Sequence, residues 1–304
     1  MEYDFAVYRN GSVPSPACGG GRDPPHRSRV MARRPQAGKA ELVELQPLGP
    51  HLGGPVQALE RGLKLLAIIA EADGLSLTTL AQRAGIAPST AHRILATLKA
   101  SGFVDCDPQG GYLIGVQAFR MGSAFLRNRK LSIVGRSIMR GLMEHAGETV
   151  NLGIEDNGYV VFISQNESHQ ALRAFHRPGS RSPMHASSIG KAIMAALSDD
   201  EAVERLHRSG MPKFTGHTIV DPQTLLADLA QVRKRGWSVD DEERTEGLRC
   251  VGAAIYNEHG EVVGAISISG PKVRMTEERL GELGPMVKRA AAAITDRIGG
   301  RMPV

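Results

Sequence analysis

Two groups of residues in this 304-residue chain have types and spacing suited to chemistry. The first is Ser89-Thr90-Ala91-His92-Arg93. Placed at 100° per residue, Ala91, Ile94, Leu95 and Leu98 form one apolar stripe, and Ser89 and Arg93 point away from it one turn apart. One face can pack while the other reads the edge of a duplex. In the major groove an arginine pairs bidentately with guanine, and Ser89, Thr90 and His92 add short donors and acceptors beside Arg93.

The second group is spread along the chain. Between Arg181 and Lys191 a turn of small residues, His185-Ala186-Ser187-Ser188, leads into an apolar helix. The free N–H groups and positive dipole end of such a helix can seat a carboxylate, although Ser187 could equally be a plain helix cap. Asp240 ends one expected strand, Cys250 begins another, and Ser267 and Ser269 alternate in a third. Residues two apart share a strand face, so the two hydroxyls converge on one space, where they need polar company. Cys250, His185 and Asp240 would also supply a nucleophile, a base and an orienting acid. A buried thiol is the commoner role for such a cysteine, so the chain is not expected to be an enzyme. The other histidines lack metal-ligand spacing.

The elements that position these residues follow from local signals. Val56, Leu59, Leu63, Leu66 and Ile69 repeat at helical spacing and predict a first helix with that stripe inward. Ser76 can cap a short second helix that Gly85 ends, and the turn Gly85-Ile86-Ala87-Pro88 precedes the helix of Arg93. Ser101-Gly102 stops that helix. Strand, turn and strand then follow at 103–106, 107–111 and 112–114, with Gln109 at the tip. Helix, helix, turn, helix and hairpin make a winged helix-turn-helix over 55–115, with the wing against backbone or minor groove. The run from Val116 to Arg127 predicts a connecting helix within a 116–130 linker. The remainder, 131–304, predicts an α+β domain. Its helices are expected at 131–145, 189–197, 198–208 under a Ser198 cap, 224–235, and from Thr276 towards Ile298 with a kink or an interruption at Pro285. Its strands are expected at 150–154, 159–164, 171–175, 251–256 and 262–269, the last two joined by a hairpin at Asn257-Glu258-His259-Gly260.

Charge supports this division. Lys and Arg outnumber Asp and Glu by two over residues 1–55 and by four over 56–130, and fall one short over 131–304. The excess lies on the module that would meet phosphates. Residues 1–54 are rich in Gly, Pro and Arg without an apolar period, which predicts a disordered basic tail. Met31 is an alternative start within it. Cys18, Cys106 and Cys250 lack paired spacing, arguing against disulfides or zinc. No apolar run reaches the roughly 20 residues of a membrane span, so a soluble, cytoplasmic protein is expected.

The winged segment Val56-Gln57-Ala58-Leu59-Glu60-Arg61-Gly62-Leu63 and the runs His185-Ala186-Ser187, Gly190-Lys191-Ala192 and Ala265-Ile266-Ser267-Ile268-Ser269-Gly270-Pro271 resemble IclR-type bacterial transcriptional regulators over 55–300. Within that family they are most similar to the glyoxylate-responsive repressors of allantoin utilisation. The resemblance implies a GAF-like effector domain without a cofactor, a dimer or dimer of dimers, and a double-stranded DNA operator. It also implies that the N–H groups of Ser188 and Ile189 hold the carboxylate of a small 2-oxo acid, with Asp240, Cys250, Ser267 and Ser269 completing the pocket. Ser188-Ile189 replaces smaller residues of that subgroup, and a pocket narrowed by Ile189 favours glyoxylate over pyruvate. The alternatives are an activator, a different small carboxylate or aromatic acid as effector, and an enzyme acting on such an acid.

Overall fold

The computed structural model describes residues 56–72, 74–127 and 130–303, in two compact units that divide between Gly122 and Ser123. The tail over 1–54, with Cys18 and Met31, lies outside the described residues.

In the first unit, α1 (Gln57–Glu71), α2 (Leu77–Ala84) and α3 (Pro88–Ala100) close on a core of Leu65, Ile68, Ile69, Leu80, Ala81, Ala91 and Leu95. The Ser76 hydroxyl accepts from the Thr79 N–H at 3.3 Å and caps α2. Gly85 ends it in the left-handed conformation, φ 69°. Pro88 at the first position of α3 suits the fixed φ of proline. A hairpin of β1 (Val104–Cys106) and β2 (Tyr112–Ile114) follows.

One expectation fails in part here. Val56, Leu59 and Leu63 are 68%, 62% and 50% exposed; Leu66 and Ile69 of the expected stripe do pack on the core, whose face of α1 runs through Gly62, Leu65, Ile68 and Ile69. Both stripes have helical spacing. Packing selects the one that includes Gly62, whose Cβ, if present, would be in ordinary contact with Ile94 of α3 at 3.5 Å.

α4 (Val116–Arg127) has the bounds expected of the connecting helix and runs across the division between the units.

The second unit is built on a six-stranded antiparallel sheet in the order β5-β4-β3-β8-β7-β6. In chain order these are β3 (Thr149–Asp156), β4 (Tyr159–Asn166), β5 (Arg181–Pro183), β6 (Ser238–Asp241), β7 (Leu248–Tyr256) and β8 (Val262–Pro271). Strand alternation sorts the two faces. Val150, Leu152, Ile154, Val251, Ala253, Ile266 and Ile268 pack with α5 (Lys130–Ala146) and α9 (Glu277–Arg297) in a purely aliphatic layer. The alternate positions are small or polar: Asn151, Gly153, Cys250, Gly252, Ala265, Ser267 and Ser269. On that face lie α6 (Ser188–Ala195), then α7 (Asp199–Ser209) and α8 (Pro222–Arg235). A Cβ on Gly252 would sit 2.9 Å from the Ser188 carbonyl carbon, and one on Gly190 would run into the Met184 backbone. Glycine at these positions lets the start of α6 lie against the sheet.

Two more expectations change. Residues 171–175 form no strand; that stretch belongs to an irregular segment, and the sheet edge beside β4 is taken by β5. α9 continues through Pro285. Leu280, Leu283, Val287 and Ile294 pack along its length, and Gly284 lies against the Trp237 ring, so tertiary contacts offset the missing N–H. Among the described residues no helix is long and apolar enough to cross a membrane.

Candidate functional site

In the first unit the structure separates the two faces of α3. Ala91 and Leu95 are fully buried, while Ser89, His92 and Arg93 are exposed and Thr90 is half-buried. The tip of the hairpin is fixed by Asp107, whose carboxylate accepts from the N–H groups of Gln109 at 2.9 Å and Gly111 at 2.7 Å. Gln109 is exposed on this rigid tip. A rigid helix face with a guanidinium, two short polar side chains and an imidazole, next to a stiff wing, has the parts needed to enter a groove and touch backbone.

In the second unit one cavity lies at the start of α6. It holds about 300 Å³ of empty space counted out to its mouth, and Ser188, Ile189, Asp240, Cys250, Ser267 and Ser269 all line it. The Ser187 hydroxyl accepts from the Gly190 N–H at 3.3 Å, and the Ser187 carbonyl receives the Lys191 N–H at 2.8 Å. Helix geometry leaves the N–H groups of Ser188 and Ile189 without an intrahelical acceptor. Ser187 is therefore a cap, as the plain reading held, and two donors remain for an anion. Ser238 fixes this turn by donating its hydroxyl to the Ser188 carbonyl at 2.5 Å.

Across the cavity, Gln165 donates to the Asn151 side-chain oxygen at 3.0 Å, and Asn151 donates to the Ser269 hydroxyl at 3.2 Å. Ser269 is thereby used as an acceptor, and its hydroxyl also hydrogen-bonds the Cys250 side chain. Its partner across β7 is Cys250, which in turn pairs with Asp240 on β6. Burial, the neighbouring Asp240 charge and the hydrogen bond to Asp240 push the Cys250 thiol well above its ordinary range, against an opposing pull from Ser269. It is not an activated nucleophile. His185 does not line the cavity and places Nε2 3.1 Å from the Pro212 carbonyl, so a Cys250-His185-Asp240 relay is not assembled.

Asp240 is raised to about 7, first by burial and then by Glu243, against Lys191 and the N–H groups of Glu243 and Arg244. Near neutrality it is partly an uncharged carboxylic acid, able to donate a hydrogen bond.

Sequence reasoning missed several lining residues: Phe162, His176, Ser182, Arg244 and Leu248. His176 comes from the irregular segment and stacks on Phe162 with ring centroids 4.5 Å apart. Burial and then Arg244 lower it to about 4, so it is neutral. Arg244 has its guanidinium 3.8 Å from the Phe214 ring centroid, and it is the one permanently charged cation among the lining residues. Its signal was the run Asp240-Asp241-Glu242-Glu243-Arg244, which as plain sequence reads as a solvated turn. In the fold Glu242 and Glu243 are buried.

Residues 58–108 match the IclR helix-turn-helix domain, and residues 123–296 match the bacterial transcriptional regulator IclR C-terminal domain. The acetate operon repressor of Salmonella typhimurium is 47% identical over 251 residues, 81% of this chain and 92% of the relative. The repressor AllR of Escherichia coli is 39% identical over 271 residues, 88% of this chain and 97% of the relative. The crystal structure of Thermotoga maritima IclR superposes with a TM-score of 0.68 at 29% identity, covering 81% of this chain and all of that one. With both of its units matched, and with full-length relatives that repress transcription and are not enzymes, the chain belongs to the IclR family of bacterial transcriptional regulators.

Proposed function

We propose that the chain is a cytoplasmic repressor whose grip on a double-stranded operator is set by glyoxylate bound in the cavity at the start of α6. The observation that carries this reading is the convergence, in one small enclosed space, of two free N–H donors at a helix start with the Ser267 and Ser269 hydroxyls and the Asp240 carboxyl. The two N–H groups receive the carboxylate, where the helix dipole adds attraction. The hydroxyls and Asp240 face the oxo end. Cys250 and Ile189 form the wall, which leaves room for a two-carbon acid in preference to larger ones.

On the DNA side, Arg93, Ser89, Thr90 and His92 enter the major groove, and Gln109 lies against the backbone. A homodimer or homotetramer presents these helices in pairs to a near-palindromic site. The acid must bind the DNA-free arrangement more tightly than the DNA-competent one, because equal affinity would shift nothing.

Calorimetry on the whole protein with glyoxylate, pyruvate and glycolate, followed by a gel shift of its own upstream DNA with and without the tightest ligand, tests the proposal. Glyoxylate should bind most tightly and release the DNA. Ser267→Ala and Ser269→Ala should each weaken the acid. Full affinity in both variants, or turnover of glyoxylate, would overturn the reading.

A further inference from the structure

Among the described residues Lys191 is the largest fully buried side chain, and it lies in the first turn of the helix that lines the cavity. Its ammonium is 2.5 Å from Glu243 Oε1 and 3.0 Å from Asp228 Oδ2. Glu243 comes from the loop between β6 and β7, and Asp228 from α8. Taking two such ions out of water costs several kcal/mol each, and apolar residues of similar volume usually serve a fold as well or better. Burial alone would lower the lysine; the two carboxylates outweigh it and hold Lys191 charged. Glu243 Oε2 is buried and has no hydrogen-bond partner in the structure, a further cost that packing alone does not explain.

The location of the pair suggests a purpose. Lys191 follows Ser188 by three residues and Ile189 by two. The Glu243 N–H donates to Asp240 Oδ1 at 2.9 Å, and the Glu243 carbonyl accepts from the Thr218 hydroxyl at 2.6 Å. The loop is drawn tight by Glu242 at φ 60° and by the Gly247 N–H on the Glu242 carboxylate at 2.9 Å. Two noncovalent junctions thus tie the anion-binding turn to Asp240: the Ser238 hydroxyl on the Ser188 carbonyl, two residues before Asp240 on β6, and the ion pair of Lys191 with Glu243, which reaches the Asp240 carboxylate itself through the Glu243 N–H.

We propose that Lys191 and Glu243 are positioning residues for effector binding, their buried ion pair holding the start of α6 in register with Asp240 across the cavity. This rests on the effector site proposed above and adds residues that do not touch the ligand. The ionisable groups around Asp240 are Lys191 on α6, Glu243 and Arg244 in the loop, Cys250 on β7, and His176 in the irregular segment on the same cavity wall.

The test uses the full chain with Lys191→Met, Glu243→Gln and the double variant Lys191→Met/Glu243→Met, read by thermal melts and by glyoxylate calorimetry across neutral pH. The double variant removes Lys191 and Glu243 together and leaves the partly exposed Asp228 beside Arg235, so it should melt closer to the parent than Lys191→Met alone yet bind glyoxylate at least about tenfold more weakly. The single variants should move the pH midpoint of binding in opposite directions. Glu243→Gln removes a neighbour that favours the protonated Asp240 and shifts the midpoint down; Lys191→Met removes one that opposes it and shifts the midpoint up. The split reports the two charges acting on Asp240; positioning itself is read as lost affinity at about pH 6, where Asp240 is mostly protonated, and a packing role would leave that affinity unchanged. A folded double variant that binds within twofold of the parent at that pH overturns the proposal. If the double variant does not fold, Glu243→Gln decides by the same affinity criterion. A parent that binds no glyoxylate removes the effector reading itself and this proposal with it, an outcome distinct from the others.

Discussion

Raising the pH through neutrality should weaken acid binding in the cavity, and Asp240→Asn should abolish that dependence. Asp240 is held at about 7 by burial and by Glu243. Protonated, it offers an O–H to the ligand; ionised, it repels an incoming carboxylate inside a poorly solvated space. A group titrating near 7 passes from about nine-tenths protonated at about pH 6 to about one-tenth at about pH 8. The association constant should therefore fall about tenfold over that range, and by up to about tenfold per pH unit beyond it. The other groups on the wall do not mask the effect. His176, at about 4, is neutral throughout, and the Cys250 thiol is pushed upward and stays protonated.

The same shift sets a stability effect whose sign can be worked out. The native chain keeps the Asp240 proton between the ordinary aspartate value of 3.8 and about 7, while the unfolded chain releases it. Stability is thus lost as pH rises through that window, by at most roughly 4 kcal/mol. Asp240→Asn should recover much of this above about pH 8 and add nothing near pH 3. Calorimetry of glyoxylate at about pH 8, in two buffers of different ionisation enthalpy, should show close to one proton taken up per acid bound, and none for the variant. Affinity that is flat or rises between about pH 6 and 8, or an equal slope in Asp240→Asn, would refute the reasoning.

Other perturbations separate the two units. Arg93→Ala should cost ~1 to 3 kcal/mol of discrimination between operator and bulk DNA, read by fluorescence anisotropy, with an unchanged circular dichroism spectrum because Arg93 is exposed. Gly190→Ala drives a methyl into the Met184 backbone, so the melting temperature should fall by the equivalent of ~1 to 3 kcal/mol and acid binding should weaken as α6 is displaced. Ser198→Ala removes a capping box in which the Ser198 hydroxyl and the Glu201 carboxylate serve each other's N–H groups. It should cost about 1 kcal/mol in a denaturant melt and leave glyoxylate affinity untouched.

The parts of the fold that could be read in advance were those set by short-range chemistry. Ser76, Gly85, Pro88 and Ser198 act on their own helix ends, and their roles depend on a few neighbouring backbone groups. Where two local solutions were equally good, the sequence could not choose. On α1 the stripe of Val56, Leu59 and Leu63 and the stripe of Gly62, Leu65 and Ile69 both satisfy helical spacing; the decision came from α2 and α3, whose Leu80, Ala81, Ala91 and Leu95 close on Leu65, Ile68 and Ile69. Pro285 was read from a local rule that packing of α9 on the sheet and on Trp237 overrides. Residues 171–175 contain strand-compatible types, yet the edge they would pair with is occupied by β5.

The site divides along the same line. Ser267 and Ser269 were legible because strand alternation is an exact two-residue rule, and their face was marked by what surrounds it, with Ile266 and Ile268 facing the aliphatic layer. The turn at Ser188 was legible as small residues before an apolar helix, and Asp240 and Cys250 as polar groups at strand ends; the resemblance joined them into one pocket, and the cavity is lined by all of them. Lys191, Glu243 and Arg244 were out of reach for a physical reason. A charged residue is read as solvated unless its partner is known, and the carboxylate that neutralises Lys191 lies 52 positions away in a run of charges. A run of five consecutive charged residues that ends one strand and enters the connection to its neighbour is nonetheless a detectable signal. A β-connection with so many charges has to find partners for those that fold inward, and lysine in an otherwise apolar helix such as α6 is the partner to look for.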